Sequence, residues 1–383
     1  MLHSRLPDIG TTIFSVMSAL ATRHGAVNLG QGFPDFECDP ALIAAVTSAM
    51  RAGHNQYPPM AGWAPLREAI AMKIEALYGH RYDPDSEITV TAGATQAILT
   101  ATLAVIQPGD EAIVIEPAYD SYAPAIVLAG GKPVFVRMER TVDNAFVIPW
   151  ESVRAAVTPK TRMIVVNSPN NPTGMALTES DMRQLERIVV EGDLYLLADE
   201  VYEHMLFDGN RHESASRYPA LAERSLVVSS FGKTFHVTGW KVGYVAAPAA
   251  LTAEFRKVHQ FNVFTVNTPM QSAIAEYLRD PLPYLQLADF YQRKRDFFRN
   301  GLAGSRFELL PTSGTYFQIA DFGAIRNDVS EAAFCEWLTR DKGVAAIPLS
   351  AFYHRPTDAN LIRFCFAKKD ETLTSAVERL AEL

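Results

Sequence analysis

The chain has 383 residues, 48% of them apolar and 20% charged, with a formal net charge of −8. That length and apolar content exclude a disordered chain and exceed what one hydrophobic core usually serves, so two domains are expected, one of them discontinuous. The acidic balance leaves no basic face for nucleic acid or anionic lipid, and neither is expected as a partner.

The opening MLHSRLPDIGTT has no apolar stretch behind a basic end, and no run reaches about 18 apolar residues; the expectation is a soluble, cytoplasmic chain without membrane contact. Cys38, Cys335 and Cys365 lie far apart with no Cys-x-x-Cys pair, so neither a disulfide framework nor a metal site is expected. Cys365 sits in an alternating apolar run and reads as buried core.

Strand-like runs, nearly continuously apolar and closed by Gly, Pro, Asn or an acid, occupy 87–93, 111–117, 132–138, 161–170, 193–202, 224–231 and 241–248. Buried strands of a covered sheet look like this. Helical patterns lie between them, such as 95–106 and 177–192, the second opened by Thr178 as N-cap. The alternation predicts an α/β fold, a mostly parallel sheet with helices on both faces. Beyond residue 282 the pattern changes to a long charged helix, then GTYFQIADF, a helix around AAFCEWLTRDKG, VAAIPLSAF, NLIRFCFA and a last helix. This reads as a smaller α+β domain, which 20–42 is expected to join. The expected division is an N-terminal arm with part of the small domain over 1–42, a large domain over 43–281 and the small C-terminal domain over 282–383. Pro117 and Pro172 each follow a strand and are candidates for cis peptide bonds.

In open α/β sheets ligands bind beyond the carboxyl ends of the strands. Lys233, in SSFGKTFHVTGWKVGY, follows such an end inside a Ser-, Gly- and Thr-rich turn. A lysine held there, partly desolvated, can form an imine with an aldehyde, although a lone lysine is more often a solvated surface group. Gly232-Lys233-Thr234 also spells the end of a nucleotide phosphate loop, but that motif needs Gly at 227, where Val stands. Asp199 closes YLLA with Tyr202 three residues on. Its carboxylate either caps the strand or keeps a pyridine nitrogen protonated, while the phenol can donate to an oxygen on the same ring. Asn171, within Ser168-Pro169-Asn170-Asn171-Pro172-Thr173-Gly174, is a directional donor and also part of a strong turn signal. Thr91 to Gln96 joins a strand to a helix through small residues, so Ala94 and Thr95 open either an anion-binding helix end or a simple tight turn. Ser230 and Lys241 lie close to Lys233 in the chain and can add a hydroxyl and a charge. Arg363 breaks the apolar face of LIRFCFA, which suits a grip on a carboxylate or an edge arginine facing water. Tyr119, in EPAYDSY, stacks on a flat ring or is one more buried aromatic.

In that order Asn-Pro-x-Gly, Asp-x-x-Tyr, Ser-x-x-Lys and a late Arg resemble the class I aminotransferases of fold type I, over the chain from about residue 11 to its end. The resemblance implies a large domain on a mostly parallel seven-stranded sheet, a smaller α+β domain, pyridoxal 5′-phosphate as cofactor and a homodimer with shared active sites. It makes Lys233 the Schiff-base lysine and proton shuttle, Asp199 the partner of the pyridine nitrogen, Asn171 and Tyr202 ligands of the ring oxygen and Tyr119 the stacking aromatic. Ala94, Thr95, Ser230 and Lys241 match phosphate positions, with Lys241 where many members carry Arg; Tyr57 matches a residue that reaches the neighbouring subunit's phosphate. Gly32 and Arg363 match contacts to the substrate carboxylate.

Within the family, NLGQGFPDF, NQYPPMAGWAPLREAI, HQFNVFTVNTP and VAAIPLSAFYHRP resemble the group containing methionine aminotransferases and kynurenine/glutamine transaminases. Thr265 departs from the kynurenine-type pattern, which has His after the residue matched by Phe264. No second arginine for a side-chain carboxylate is evident, and Phe14, Phe33, Tyr119, Phe352 and Tyr353 suit a long apolar or sulfur-bearing substrate. The expected activity is transfer of the amino group of methionine or another large neutral or aromatic L-amino acid to a 2-oxo acid, by a ping-pong route. Kynurenine transamination, β-elimination from cysteine S-conjugates and a non-catalytic sensor remain alternatives.

Overall fold

All seven runs read as strands join one sheet. In the computed structural model, which describes residues 3–7, 9–355 and 359–383, they are β1 (Ile88–Thr91), β2 (Glu111–Glu116), β3 (Lys132–Arg137), β4 (Thr161–Asn167), β5 (Tyr195–Asp199), β6 (Ser225–Ser230) and β7 (Gly243–Ala246). The sheet order is β1-β7-β6-β5-β4-β2-β3, parallel except for β7, which runs antiparallel to both neighbours. Every strand but the edge strand β3 is buried along most of its length. Both faces are covered, which is why the runs read as continuous rather than alternating. Ala112, Val114, Val165 and Leu197 pack under helices Gly93–Val105, Tyr122–Leu128 and Ala249–Asn262. Ile113, Ile115, Ile164 and Leu196 face the other way, toward helix Glu179–Glu191.

That last helix starts where its sequence signal placed it. The Thr178 side chain accepts from the Asp181 amide, and the Asp181 carboxylate accepts from the Thr178 amide, so two otherwise orphaned donors are satisfied reciprocally. The helix expected from 95 starts two residues earlier, at Gly93. The long helix expected from 282 is a single turn, Leu282–Leu285, followed by Leu287–Gly301.

A second, antiparallel sheet has the order β8 (Glu308–Leu309), β9 (Phe317–Asp321), β11 (Leu361–Cys365), β10 (Ile347–Pro348). Cys365 is buried in it. Val27–Asn28 pairs in parallel with Val344–Ala345, tying the N-terminal arm to the C-terminal part of the chain. The following helix, Pro40–Arg51, buries Leu42 and Val46 in the cluster that holds Ile70, Val90 and Ile274. The peptide bonds before Pro117 and Pro172 are cis, and so is a third, before Pro169. No helix among the described residues is long and apolar enough to cross a membrane.

One buried ion pair fixes the loop that leaves β5. Lys73, on helix Ala64–Tyr78, donates to Glu203 at 2.6 Å, and the hydroxyls of Tyr78 and Ser229 donate to the same carboxylate. Burial alone would raise the Glu203 carboxyl, but the Lys73 ammonium and these donors hold it well below the usual range. Both ends of the pair are nearly inaccessible. Removing one partner strands a buried charge, so Lys73→Met is expected to lower stability by ~3–5 kcal/mol. Urea unfolding monitored by circular dichroism checks this; a loss below ~1 kcal/mol would show the pair to be as weak as an exposed one.

Candidate active site

Register delivers the polar strand ends to one place. Asn167 lies opposite Asp199 across β4 and β5, and Asp199 opposite Val228 across β5 and β6. Because β7 is reversed, its first residue, Gly243, pairs with Ser230 on one side and Thr91 on the other. Lys241, just before β7, therefore arrives where β1 and β6 end. The cavity there holds about 210 Å³, and its wall includes nine of the residues expected at the site, Ala94, Thr95, Tyr119, Asn171, Asp199, Tyr202, Ser230, Lys233 and Lys241, but not Gly32, Arg363 or Phe14.

One end of the cavity is built for an anion. Helix Gly93–Val105 opens against it, with the Thr95 hydroxyl 3.4 Å from that of Tyr119. Gly93 has φ +76, and a Cβ there would stand 3.4 Å from the Lys241 ammonium. Backbone N–H groups, hydroxyls and an ammonium around a helix N-terminus are what a phosphate needs.

The other end is built around Asp199, 3% exposed. Its carboxylate accepts from the Tyr122 hydroxyl at 2.6 Å and the Val201 amide at 3.3 Å. Burial nevertheless pushes the carboxyl up to about 6. A buried acid of this kind is stabilised when a protonated ring nitrogen faces it. Tyr202 is buried alongside, and burial raises its phenol well above the ordinary value.

Lys233 stands between these ends. It sits in a single helical turn, Phe231–Thr234, closed by the Phe235 amide on the Phe231 carbonyl, where an irregular turn had been expected. Its ammonium donates to the Tyr316 hydroxyl at 2.7 Å and the Gly32 carbonyl at 3.2 Å, and that hydroxyl in turn donates to Gly32 at 2.6 Å. Desolvation lowers the amine to about 8, so a large neutral fraction exists near physiological pH.

Arg363 lies in mid-strand on β11, between Ile319 of β9 and Ile347 of β10, and is 1% exposed. An edge arginine facing water is thereby excluded. Its guanidinium donates to the Asn171 side-chain oxygen at 2.6 Å and to the Gly30 carbonyl at 3.0 Å, while Nε is buried without a partner. No acidic side chain forms an ion pair with it among the described residues. The ring centres of Phe317, Phe352 and Phe14 lie 3.9, 5.0 and 5.3 Å from the guanidinium carbon. Burial lowers the group to about 10, which still leaves it charged at neutral pH.

Tyr57 is not brought to the cavity of its own chain. It is 80% exposed, with its ring 5.3 Å from that of Phe264. Three site residues escaped the sequence reading. Asn167 donates to the Asp199 carbonyl at 2.9 Å and accepts from the Asn171 amide at 2.7 Å; as the last residue of its strand it was open to the same argument that found Asp199. Tyr122 follows Tyr119 by three positions in EPAYDSY. Tyr316 carried no signal beyond being aromatic.

A pyridoxal-phosphate-dependent aminotransferase is the class of enzyme that this fold and cavity define. The chain belongs to the family Aminotransferase class I and II, which matches residues 24–380. It is 49% identical over 382 residues to the methionine aminotransferase of Escherichia coli K12, covering 100% of this chain and 98% of that protein. It is 41% identical to a probable N-succinyldiaminopimelate aminotransferase of Mycobacterium tuberculosis, covering 100% of this chain and 98% of the relative. The crystal structure of YbdL from Escherichia coli, described as having a methionine aminotransferase function, superposes with a TM-score of 0.97 at 48% identity, over 100% of both chains.

Two consequences of burial are measurable on the cofactor-free protein. Asp199 holds its proton up to about pH 6 in the fold, against an ordinary value of 3.8, so its ionisation makes stability fall as pH rises through that window. Asp199→Asn is therefore expected to stabilise the cofactor-free chain by ~3 kcal/mol above pH 6 and to change little below pH 4. Urea unfolding at both pH values checks it; an equal effect at the two would remove burial as the cause. Lys233 should be modified by an amine-specific reagent with a midpoint near pH 8, where ordinary lysines need about 10.4. Peptide mapping across a pH series reads this directly.

Proposed function

We propose that this aminotransferase moves the amino group of methionine or another large neutral or aromatic L-amino acid to a 2-oxo acid. The observation that carries the reading is the fully buried Arg363, which forms no ion pair among the described residues and is ringed by Phe14, Phe317 and Phe352. A planar guanidinium in such a setting is matched to one carboxylate, and the surrounding rings favour an apolar remainder over a second charge. The methionine aminotransferase activity named for the Escherichia coli relative supports the same substrate class.

The residues fit pyridoxal 5′-phosphate. Ala94, Thr95, Ser230 and Lys241 would hold its phosphate, Tyr119 would stack on the ring, and Asn171 and Tyr202 would bind the ring oxygen. With the Asn171 side-chain oxygen already taken by Arg363, its amide N–H₂ is the donor left for that purpose. Asp199 would keep the ring nitrogen protonated. Bound there, the cofactor supplies the covalent link to the substrate amine and an electron sink for charge developing at the substrate Cα. Lys233 is the general base at that carbon, and burial, by lowering its amine to about 8, gives it a far larger neutral fraction than an ordinary lysine has. Arg363 and Gly32 fix the carboxylate, so the Cα–H bond is presented to Lys233 in one orientation.

The same proposal includes a homodimer in which Tyr57 reaches the cavity of the partner subunit. Its 80% exposure and its edge-on contact with Phe264, itself 44% exposed, support this. The division of the chain at 42/43 and 281/282 belongs to the reading as well.

Visible absorption of the purified protein tests the assignment. The cofactor band should bleach with methionine and phenylalanine at concentrations where aspartate leaves it unchanged; the opposite order would overturn the substrate class. Lys233→Ala should lower turnover by at least ~10²-fold, without loss of fold, and wild-type turnover in that variant without added amine would remove Lys233 from the chemistry.

A further inference from the structure

We propose that Lys368 is a positioning residue for the substrate carboxylate, acting through the segment Gly30–Phe33 that it anchors. The inference rests on the functional reading above for the identity of the substrate, and on separate observations for the role.

Residues 30–33 form no strand or helix, and their carbonyls accept from side chains. Gly30 accepts from Arg363 at 3.0 Å, Gln31 from Lys368 at 3.3 Å, Gly32 from Tyr316 at 2.6 Å and Lys233 at 3.2 Å, and Phe33 from Lys368 at 2.8 Å. An irregular segment whose partly buried acceptors have no ladder to join owes its path to such donors. Two of them have other work, because Arg363 must turn to a carboxylate and Lys233 to the substrate carbon. Lys368 has none. It is 3% exposed, forms no ion pair among the described residues, and gives its ammonium hydrogen bonds to this segment. Its ammonium is spent on two carbonyls of the segment and the face of Phe33, whose centre lies 5.4 Å away.

A buried ammonium without a carboxylate is costly, and a methionine of similar volume would pack there more cheaply. Its presence is explained by what it holds. The segment carries Gly32 past Arg363, where a Cβ on Gly32 would come 3.9 Å from the guanidinium and 3.0 Å from the Phe317 ring. A shift of the segment therefore moves both the backbone and the guanidinium that define the carboxylate position. The anchor itself is fixed, since the Lys368 carbonyl accepts from Lys294 at 2.8 Å and Lys294 pairs with Asp370 at 2.8 Å.

The ends of the segment are pinned independently. The Leu29 carbonyl accepts from the Cys365 amide at 2.7 Å, and the Asp35 carboxylate accepts from the Lys369 amide and the Thr372 hydroxyl. Loss of the Lys368 donors thus loosens the middle of the segment and leaves its attachment to the fold intact.

The test uses the holoenzyme with Lys368→Met, Lys368→Gln and Lys368→Arg. Three quantities are read: KM and kcat for methionine, and the affinity for 3-phenylpropionate, a carboxylate without an amine, from its effect on thermal unfolding. Lys368→Met should raise KM and weaken 3-phenylpropionate each by about tenfold, the effect expected when hydrogen bonds from a charged donor are lost. Cofactor absorbance should stay at the wild-type level and kcat within about twofold, since an interaction used equally in ground and transition states appears in KM alone. Lys368→Arg should recover most of the affinity, and Lys368→Gln should fall between, which keeps the test open if the methionine variant folds poorly. Unchanged KM and 3-phenylpropionate affinity in both the methionine and glutamine variants, or a loss confined to kcat, would overturn the proposal. Failure of methionine to bleach the wild-type protein would instead overturn the functional reading.

Discussion

Parallel strands deliver their last residues along one line, and the groups on the large sheet take their places from that register. Asn167 faces Asp199, and Asp199 faces Val228, so two polar strand ends emerge side by side at the depth of a flat ring. The reversal of β7 is the necessary exception. Were it parallel, Lys241 would lie at the far edge of the sheet, some four residues of strand away, and the helix end at Gly93 would lack its ammonium. A slip of one residue would turn the whole set to the wrong face, and the continuous packing on both sides of the sheet prevents it.

Buried charge separates structure from function in this molecule. Lys73 and Glu203 are paired within the chain, share further hydroxyl donors and complete the fold behind the site. Arg363 and Lys368 are equally withdrawn from water and Lys233 only partly so, yet none of the three forms an ion pair among the described residues. Burial draws Lys233 down to about 8 and Asp199 up to about 6, which places a base and an acid on either side of neutrality in one cavity. Arg363 resists the same pressure, and a permanent charge is what a carboxylate clamp requires. Phe14, Phe317 and Phe352 give that cation a partial counter-environment while leaving its planar face matched to one anion.

The sequence revealed what lies at a boundary between patterns. Asp199, Asn171 and Lys233 each follow an apolar run, where a polar residue is conspicuous, and Arg363 interrupts one. Thr178 and Asp181 announce a helix start because their partners are three positions away. Legibility fails where the partner is remote. Tyr122 meets Asp199 across 77 residues, Tyr316 meets Gly32 across 284, and Lys368 meets Phe33 across 335. No local pattern encodes such pairs. The exposed Tyr57 shows the same limit, since its neighbours within the chain do not explain it. The single helical turn at Phe231–Thr234 was hidden because one turn is shorter than any periodic signal.

The pairing of Val27–Asn28 with Val344–Ala345, and the bonding of residues 29–35 to β11 and the stretch after it, also set an order of assembly. The strands whose ends line the cavity have all been made by residue 246, although closing their sheet already requires Thr91 to meet Gly243. The carboxylate end cannot form until Arg363 and Lys368 exist, more than 330 residues after the segment they hold. On a ribosome adding residues from the N-terminus, a cofactor cradle can take shape while the substrate pocket is still missing its far wall. The segment Gly30–Phe33 gains its donors from Arg363 and Lys368 only when the last strand returns to meet it.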